Sequence, residues 1–146
     1  MNNIISFLKL IRIQNLIIIL ITQTLIKIFL VNTFVSNYNL NFLDFTLYLT
    51  AILTIISGGY IINDIYDVDT DKINKKNKLI IGGKISVKNA KILYIILNTF
   101  GVIIASFLAL KLNNILLFII LIYFIISLWR YSEKLKKTFL IGNIQV

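Results

Sequence analysis

Cysteine, histidine and proline are all missing from the 146 residues, and acidic side chains are scarce, six against fifteen lysines and arginines. Without cysteine there is neither a disulfide framework nor a thiolate metal site. Without histidine the usual zinc ligand, the Ser–His nucleophilic pair and the commonest general acid–base are gone. The lack of proline accompanies an abundance of Ile, Asn, Lys, Phe and Tyr, a usage that fits strongly A/T-biased coding.

Charge is also missing from long stretches. Residues 45–62, 92–110 and 112–129 each run 18 or 19 residues without a charged side chain, close to the ~20 needed to cross a ~30 Å hydrocarbon core as a helix. With 58% hydrophobic residues and a mean hydropathy of +0.89, the chain falls in the membrane class. A fourth span near 11–31 is interrupted by Lys27. Its Thr22, Gln23, Thr24 and Lys27 are costly in lipid, so they are expected to face other helices, a cavity or the membrane surface. The expectation is an all-α, multi-spanning membrane helix bundle, with helices at about 11–31, 44–63, 91–110 and 113–131 and one long loop, 64–90.

The net charge of +9 could suggest nucleic acid, but the placement of the cations explains it better. Lys9 and Arg12 precede the first span, seven lysines from Lys72 to Lys91 follow the second, and Arg130, Lys134, Lys136 and Lys137 follow the fourth. Thirteen of the fifteen cations therefore fall on one side. The positive-inside rule makes that side cytoplasmic, with both termini and the long loop, in a bacterial inner or archaeal-type membrane, and no nucleic-acid partner is required. The basic, apolar N-terminus ends in no small-residue cleavage site, so it reads as a retained span. Gly101, Ala105 and Ala109 form a stripe for close helix packing. Ser57-Gly58-Gly59 either packs closely or loosens its helix. Residues 139–146 begin an apolar segment too short to span, lying at the interface or opening a longer protein.

Four of the six acids fall within eight residues, in INDIYDVDTDK at 62–72. On a continuous helix, 100° per residue puts Asp64, Asp67 and Asp71 within about 60° on one face, with Asp69 nearly opposite. Three such carboxylates repel unless a cation joins them, and a hard divalent ion is the natural partner. Mg²⁺ takes one or two carboxylates and completes its shell with water and substrate phosphate oxygens. An EF-hand loop opening at Asp67 fails, because Lys72 replaces the glycine at position six and Lys78 the glutamate at position twelve. As a bare charge run, the cluster would be a solvated patch balancing the lysines after it.

Asn63-Asp64-x-x-Asp67-x-x-x-Asp71 resembles the N-D-x-x-D-x-x-x-D signature of the UbiA-type intramembrane prenyltransferases, which also stands at the end of their second membrane helix. Lys72-Ile73-Asn74-Lys75, then Gly82, Gly83, Lys84, Ile85 and Ser86, is similar to the loop that follows it in that family. Arg12-Ile13-Gln14-Asn15 is similar to the family's R-P-x-N, and Tyr131-Ser132-Glu133-Lys134-Leu135-Lys136 with Gly142-Asn143 to its Y-S-x-x-L-K and G-N. The chain departs from the pattern at Ile13 and Lys76, where proline is usual. It also has no D-x-x-x-D after residue 71, where the family carries a second motif.

The resemblance implies nine helices, of which four are present, and transfer of a prenyl group from a prenyl diphosphate to a lipophilic, aromatic or glycerol-phosphate ether acceptor. It implies that Asp64, Asp67 and Asp71 hold Mg²⁺ against the diphosphate as catalytic and metal residues, supported by Asn63. Lys78 and Lys136 would be counter-charges to the diphosphate, or lysines that set topology. Arg12 and Asn15 would line the pocket, with surface anchoring the other reading of Arg12. Tyr131 would be a substrate contact or an interfacial aromatic. The loop sequence looks most like the branch that makes geranylgeranyl ethers of glycerol phosphate. As half of such an enzyme the chain is expected to be inactive alone, from a split or truncated gene, with a second polypeptide a candidate for the other half. The competing readings are a non-catalytic four-helix protein binding divalent cation or phosphate, a degenerate remnant, or a small transporter subunit.

Overall fold

The computed structural model describes residues 3–35, 40–74 and 79–134. Among them every regular element is a helix, apart from an isolated bridge between Ile81 and Ile85. A short helix α1 (Asn3–Leu10) precedes the first span, which is built from α2 (Ile13–Leu25), a π-helical stretch Ile26–Val31 and a last turn α3 (Asn32–Phe34). The second span is α4 (Phe42–Tyr66), followed by α5 (Val68–Asn74); α6 (Val87–Lys111) and α7 (Ile115–Glu133) complete the set. Among the described residues four helices are long and apolar enough to cross a membrane: Ile13–Phe34, Phe42–Tyr66, Val87–Lys111 and Ile115–Glu133.

Side-chain caps set the starts of the long helices, because the first turn has backbone N–H groups with no partner inside the helix. The side chain of Asn41 accepts from the Asp44 N–H at 2.8 Å, Ser86 from Asn89 at 3.1 Å and Asn114 from Leu116 at 3.1 Å. Three of the helices run beyond the charge-free stretches that announce them, α4 ending at Tyr66 and α6 beginning at Val87. Charged residues at a membrane surface keep their water, so they do not stop a helix there. The stretch 64–90 accordingly holds the last turn of α4, all of α5 and the tight Ile81–Ile85 turn.

The second span is the central one: 44% of its most apolar window is buried within the chain, against 6% for the first span and 11% for the fourth. Two patches of core lie along it. Ala51 and Ile55 meet Ile104, Ala105, Leu108 and Leu121, and nearer the aspartates Ile61 gathers Leu10, Leu16, Val68, Ile81 and Ala90. The stripe Gly101, Ala105 and Ala109 is buried, and a side chain at Gly101 would meet Ile55 at 2.7 Å. The helix continues unbroken through Gly58 and Gly59, which serve close packing: a methyl group would strike Asn98 at Gly58 and Leu128, at 2.8 Å, at Gly59.

Most Ser and Thr hydroxyls inside the spans are satisfied locally, as suits a medium without water. Thr46, Thr50, Thr54, Ser57, Ser106 and Ser132 each donate to the carbonyl four residues earlier. In the first span Thr24 does the same, while Gln23 and Lys27 line a cavity of about 270 Å³ with Phe45 and Tyr48. The Lys27 ammonium lies 4.1 Å from the centre of the Phe45 ring. At that end Lys111, closing α6, donates to the buried Asp44 of α4.

Candidate active site

The site begins at the carboxyl end of α4. Asn63 and Asp64 are its last polar residues, and Asp67 is its C-cap, with φ −91° and ψ −2°. The expected continuous helix is therefore interrupted by one residue at Asp67 before α5 resumes at Val68. Backbone bonding nearly bridges the break: Asp67 N–H donates to Asn63 at 3.1 Å and Asp71 N–H to Asp67 at 2.8 Å. Val68 is buried in the cluster that also holds Leu10, Ile11 and Ile81.

This local geometry sorts the four aspartates. Asp64 and Asp71 line one cavity of about 210 Å³, together with Lys9, Arg12, Val68, Leu79, Ile80 and Ile81. Asp67 is not among the lining residues; one of its carboxylate oxygens accepts from Asn63 Nδ2 at 3.1 Å. Asp69 is 95% exposed and pairs with Lys72 at 2.9 Å, outside the cavity as its helical position requires. Among the described residues no three carboxylates approach closely enough to hold a metal ion between them. The structure thus brings together two of the three aspartates named from the sequence.

Opposite Asp64 stands Arg12. Its Nη2 donates to Asp64 Oδ1 at 3.0 Å, joining the α1–α2 junction to the end of α4. The guanidinium carbon also lies 4.7 Å from the centre of the Tyr60 ring. Asn15 donates to the Tyr60 hydroxyl at 3.3 Å. Tyr131, half-buried near the end of α7, does not line the cavity. Lys78 and Lys136 lie outside the described residues, as do Leu135 and the Gly142-Asn143 pair. Ser86, at the end of the Gly82–Ser86 stretch that resembles the family's loop, has a structural part as the cap of α6, whose approach is set by the turn closed from Gly82 N–H to the Ile85 carbonyl at 2.8 Å.

Lys9 and Tyr60 escaped the sequence reading, although helical spacing points to Tyr60. Tyr60 is four residues before Asp64, one turn away on the same face of α4, and Lys9 three before Arg12, across the left-handed junction of α1 and α2.

The donor set fits Mg²⁺ in one particular way. Two carboxylates on a common wall suit an ion that takes the rest of its shell from water and phosphate oxygens. They do not form an all-protein cage. Two cations and two acids around one small opening can hold a metal–phosphate group that carries both signs of charge.

Known proteins place the chain firmly. Residues 24–146 match the UbiA prenyltransferase family. The digeranylgeranylglyceryl phosphate synthase of Sulfurisphaera tokodaii is 33% identical over 141 residues, covering 97% of this chain and 47% of that protein. Its counterpart from Saccharolobus solfataricus is 38% identical over 141 residues, covering 97% and 46%. A solved structure, described as concerning digeranylgeranylglyceryl phosphate synthase in membranes, superposes with a TM-score of 0.81 at 30% identity, over 99% of this chain and 48% of that one. The chain spans about half the length of the curated relatives it matches. Its four apolar helices and these relatives make it an integral membrane protein, and it belongs to the UbiA prenyltransferase family.

Proposed function

We propose that this chain supplies the diphosphate-binding part of a Mg²⁺-dependent prenyltransferase. The prenyl group passes from a prenyl diphosphate to a hydroxyl of a glycerol-phosphate ether, the acceptor class suggested by its relatives' names. The observation that carries this reading is the shared cavity of Asp64, Asp71, Arg12 and Lys9 at the end of the second span.

Asp64 and Asp71 would hold the metal, with Asn63 fixing Asp67 beside them. Bound to the diphosphate, Mg²⁺ would offset its charge and make it a better leaving group. Arg12 and Lys9 bind and orient the diphosphate oxygens, so that negative charge developing there meets fixed cations. The bond between the allylic carbon and the diphosphate oxygen breaks with its electron pair going to the diphosphate. The acceptor oxygen forms the new bond to that carbon and gives up its proton to the departing diphosphate or to water. Val68, Leu79, Ile80 and Ile81 keep water from the carbon, so the acceptor captures it.

In this reading residues 1–146 are the N-terminal portion of the prenyltransferase domain, with both termini and the aspartate loop on the cytoplasmic side. Turnover belongs to the complete bundle, the other half coming from the same or a second polypeptide, and this portion alone binds without transferring. The test is transfer of labelled geranylgeranyl from its diphosphate to the glycerol-phosphate ether by membranes carrying the complete bundle. Transfer should require Mg²⁺ and fall by at least about a hundredfold on Asp64→Asn, with membrane insertion unchanged. Undiminished transfer by that variant refutes the reading.

A further inference from the structure

Arg12 is constrained in three independent ways. Its backbone sits at φ 53° and ψ 55°, a left-handed conformation uncommon for a residue with a side chain. Its guanidinium meets Asp64 at 3.0 Å and lies over Tyr60, 4.7 Å from the ring centre. Tyr60 is itself held, because its hydroxyl accepts from Asn15 at 3.3 Å on the first turn of α2. Such strained backbone persists only where the surroundings over-determine it, and it gathers at functional sites.

The two partners of Arg12 differ in what they leave free. A carboxylate neutralises the guanidinium and here takes an N–H donor of Nη2. An aromatic face attracts the cation through its quadrupole and leaves donors at the edge of the plane available. Asp64 is also a carboxylate that the diphosphate reading assigns to the metal, and a guanidinium and a divalent ion on one carboxylate oxygen repel each other.

We propose that Arg12 keeps the metal's place on Asp64 in the unloaded protein, and that Tyr60 is the positioning residue that retains Arg12 at the cavity once the metal takes that carboxylate. The released donors then meet the diphosphate. Lys9, which makes no ion pair or hydrogen bond among the described residues, reinforces them from the same wall. Asp64 thus has a cationic partner both before and after loading, so the carboxylate never faces the cavity alone. This inference rests on the diphosphate reading above.

Two equilibria measured on the full chain in nanodiscs test it: Mn²⁺ alone, followed by electron paramagnetic resonance, and inorganic pyrophosphate with Mg²⁺, followed by calorimetry. Arg12→Gln removes the competitor and should tighten Mn²⁺ by up to about fivefold, while weakening pyrophosphate about tenfold. Tyr60→Leu should leave Mn²⁺ within about twofold and weaken pyrophosphate about 3- to 30-fold. Tyr60→Trp, which restores the aromatic face, should recover the pyrophosphate affinity. Circular dichroism matching the wild type shows that the variants are folded. Pyrophosphate binding by Tyr60→Leu equal to wild type, or Mn²⁺ weakened by Arg12→Gln, overturns this proposal alone. A wild-type chain that binds no pyrophosphate overturns the diphosphate reading with it.

Discussion

Arg12 and Asp64 meet at 3.0 Å although 52 residues of chain separate them. The Arg12 side chain is 43% exposed and that of Asp64 23%, so water screens the pair. Its worth to the fold is accordingly small, less than about 1 kcal/mol. Arg12→Gln should therefore shift thermal unfolding in detergent only slightly, and a loss of several kcal/mol would show that the pair is structural.

Asp44 and Lys111 form the opposite case. Asp44 is 1% exposed and Lys111 is its cation at the far end of the bundle. Lys111→Met leaves a buried carboxylate without its partner, at a cost of about 2–4 kcal/mol, reduced somewhat by the start of α4 next to it. Replacing both residues, as Asp44→Asn with Lys111→Met, should recover most of that loss. Equal unfolding midpoints for the single and double variants would contradict this account.

Gly59 lies so close to Leu128 that a side chain cannot fit without movement. Gly59→Val should push α7 away from α4 and destabilise the bundle by about 1–3 kcal/mol. Denaturation in mixed micelles gives the comparison, and a variant as stable as wild type would mean the helices are free to separate.

The absence of cysteine makes orientation measurable with single introduced thiols. Thr70 and Thr33 are both exposed, at opposite ends of the spans. Thr70→Cys should react with a membrane-impermeant maleimide only from the cytoplasmic side, and Thr33→Cys only from the other. The reverse pattern would invert the topology and put the aspartates outside.

The helical membrane architecture was legible because lipid imposes a coarse rule: 18 or 19 consecutive residues without charge have no other economical structure. The residue types at the site were legible too, since aspartates at turn spacing beside a membrane are uncommon without a purpose. Their partition was not. The break at Asp67 coincides with Val68 joining the buried cluster that holds Leu10 and Ile81, a grouping of distant parts of the chain that helical periodicity cannot reveal. Arg12 stood out as a motif residue, whereas its grip on Asp64 needs the left-handed turn between α1 and α2. Lys9 and Tyr60 were hidden by ordinariness, a lysine and a tyrosine near a membrane surface having common explanations in topology and anchoring.

Mg²⁺-dependent affinity for a prenyl diphosphate, compared among Asp64→Asn, Asp71→Asn and Asp69→Asn, tests the central claim most directly. The first two should weaken binding by about tenfold or more, while Asp69→Asn, whose side chain points away from the cavity into water, should stay within about twofold of wild type. Equal losses in all three, or binding indifferent to Mg²⁺, would contradict the account.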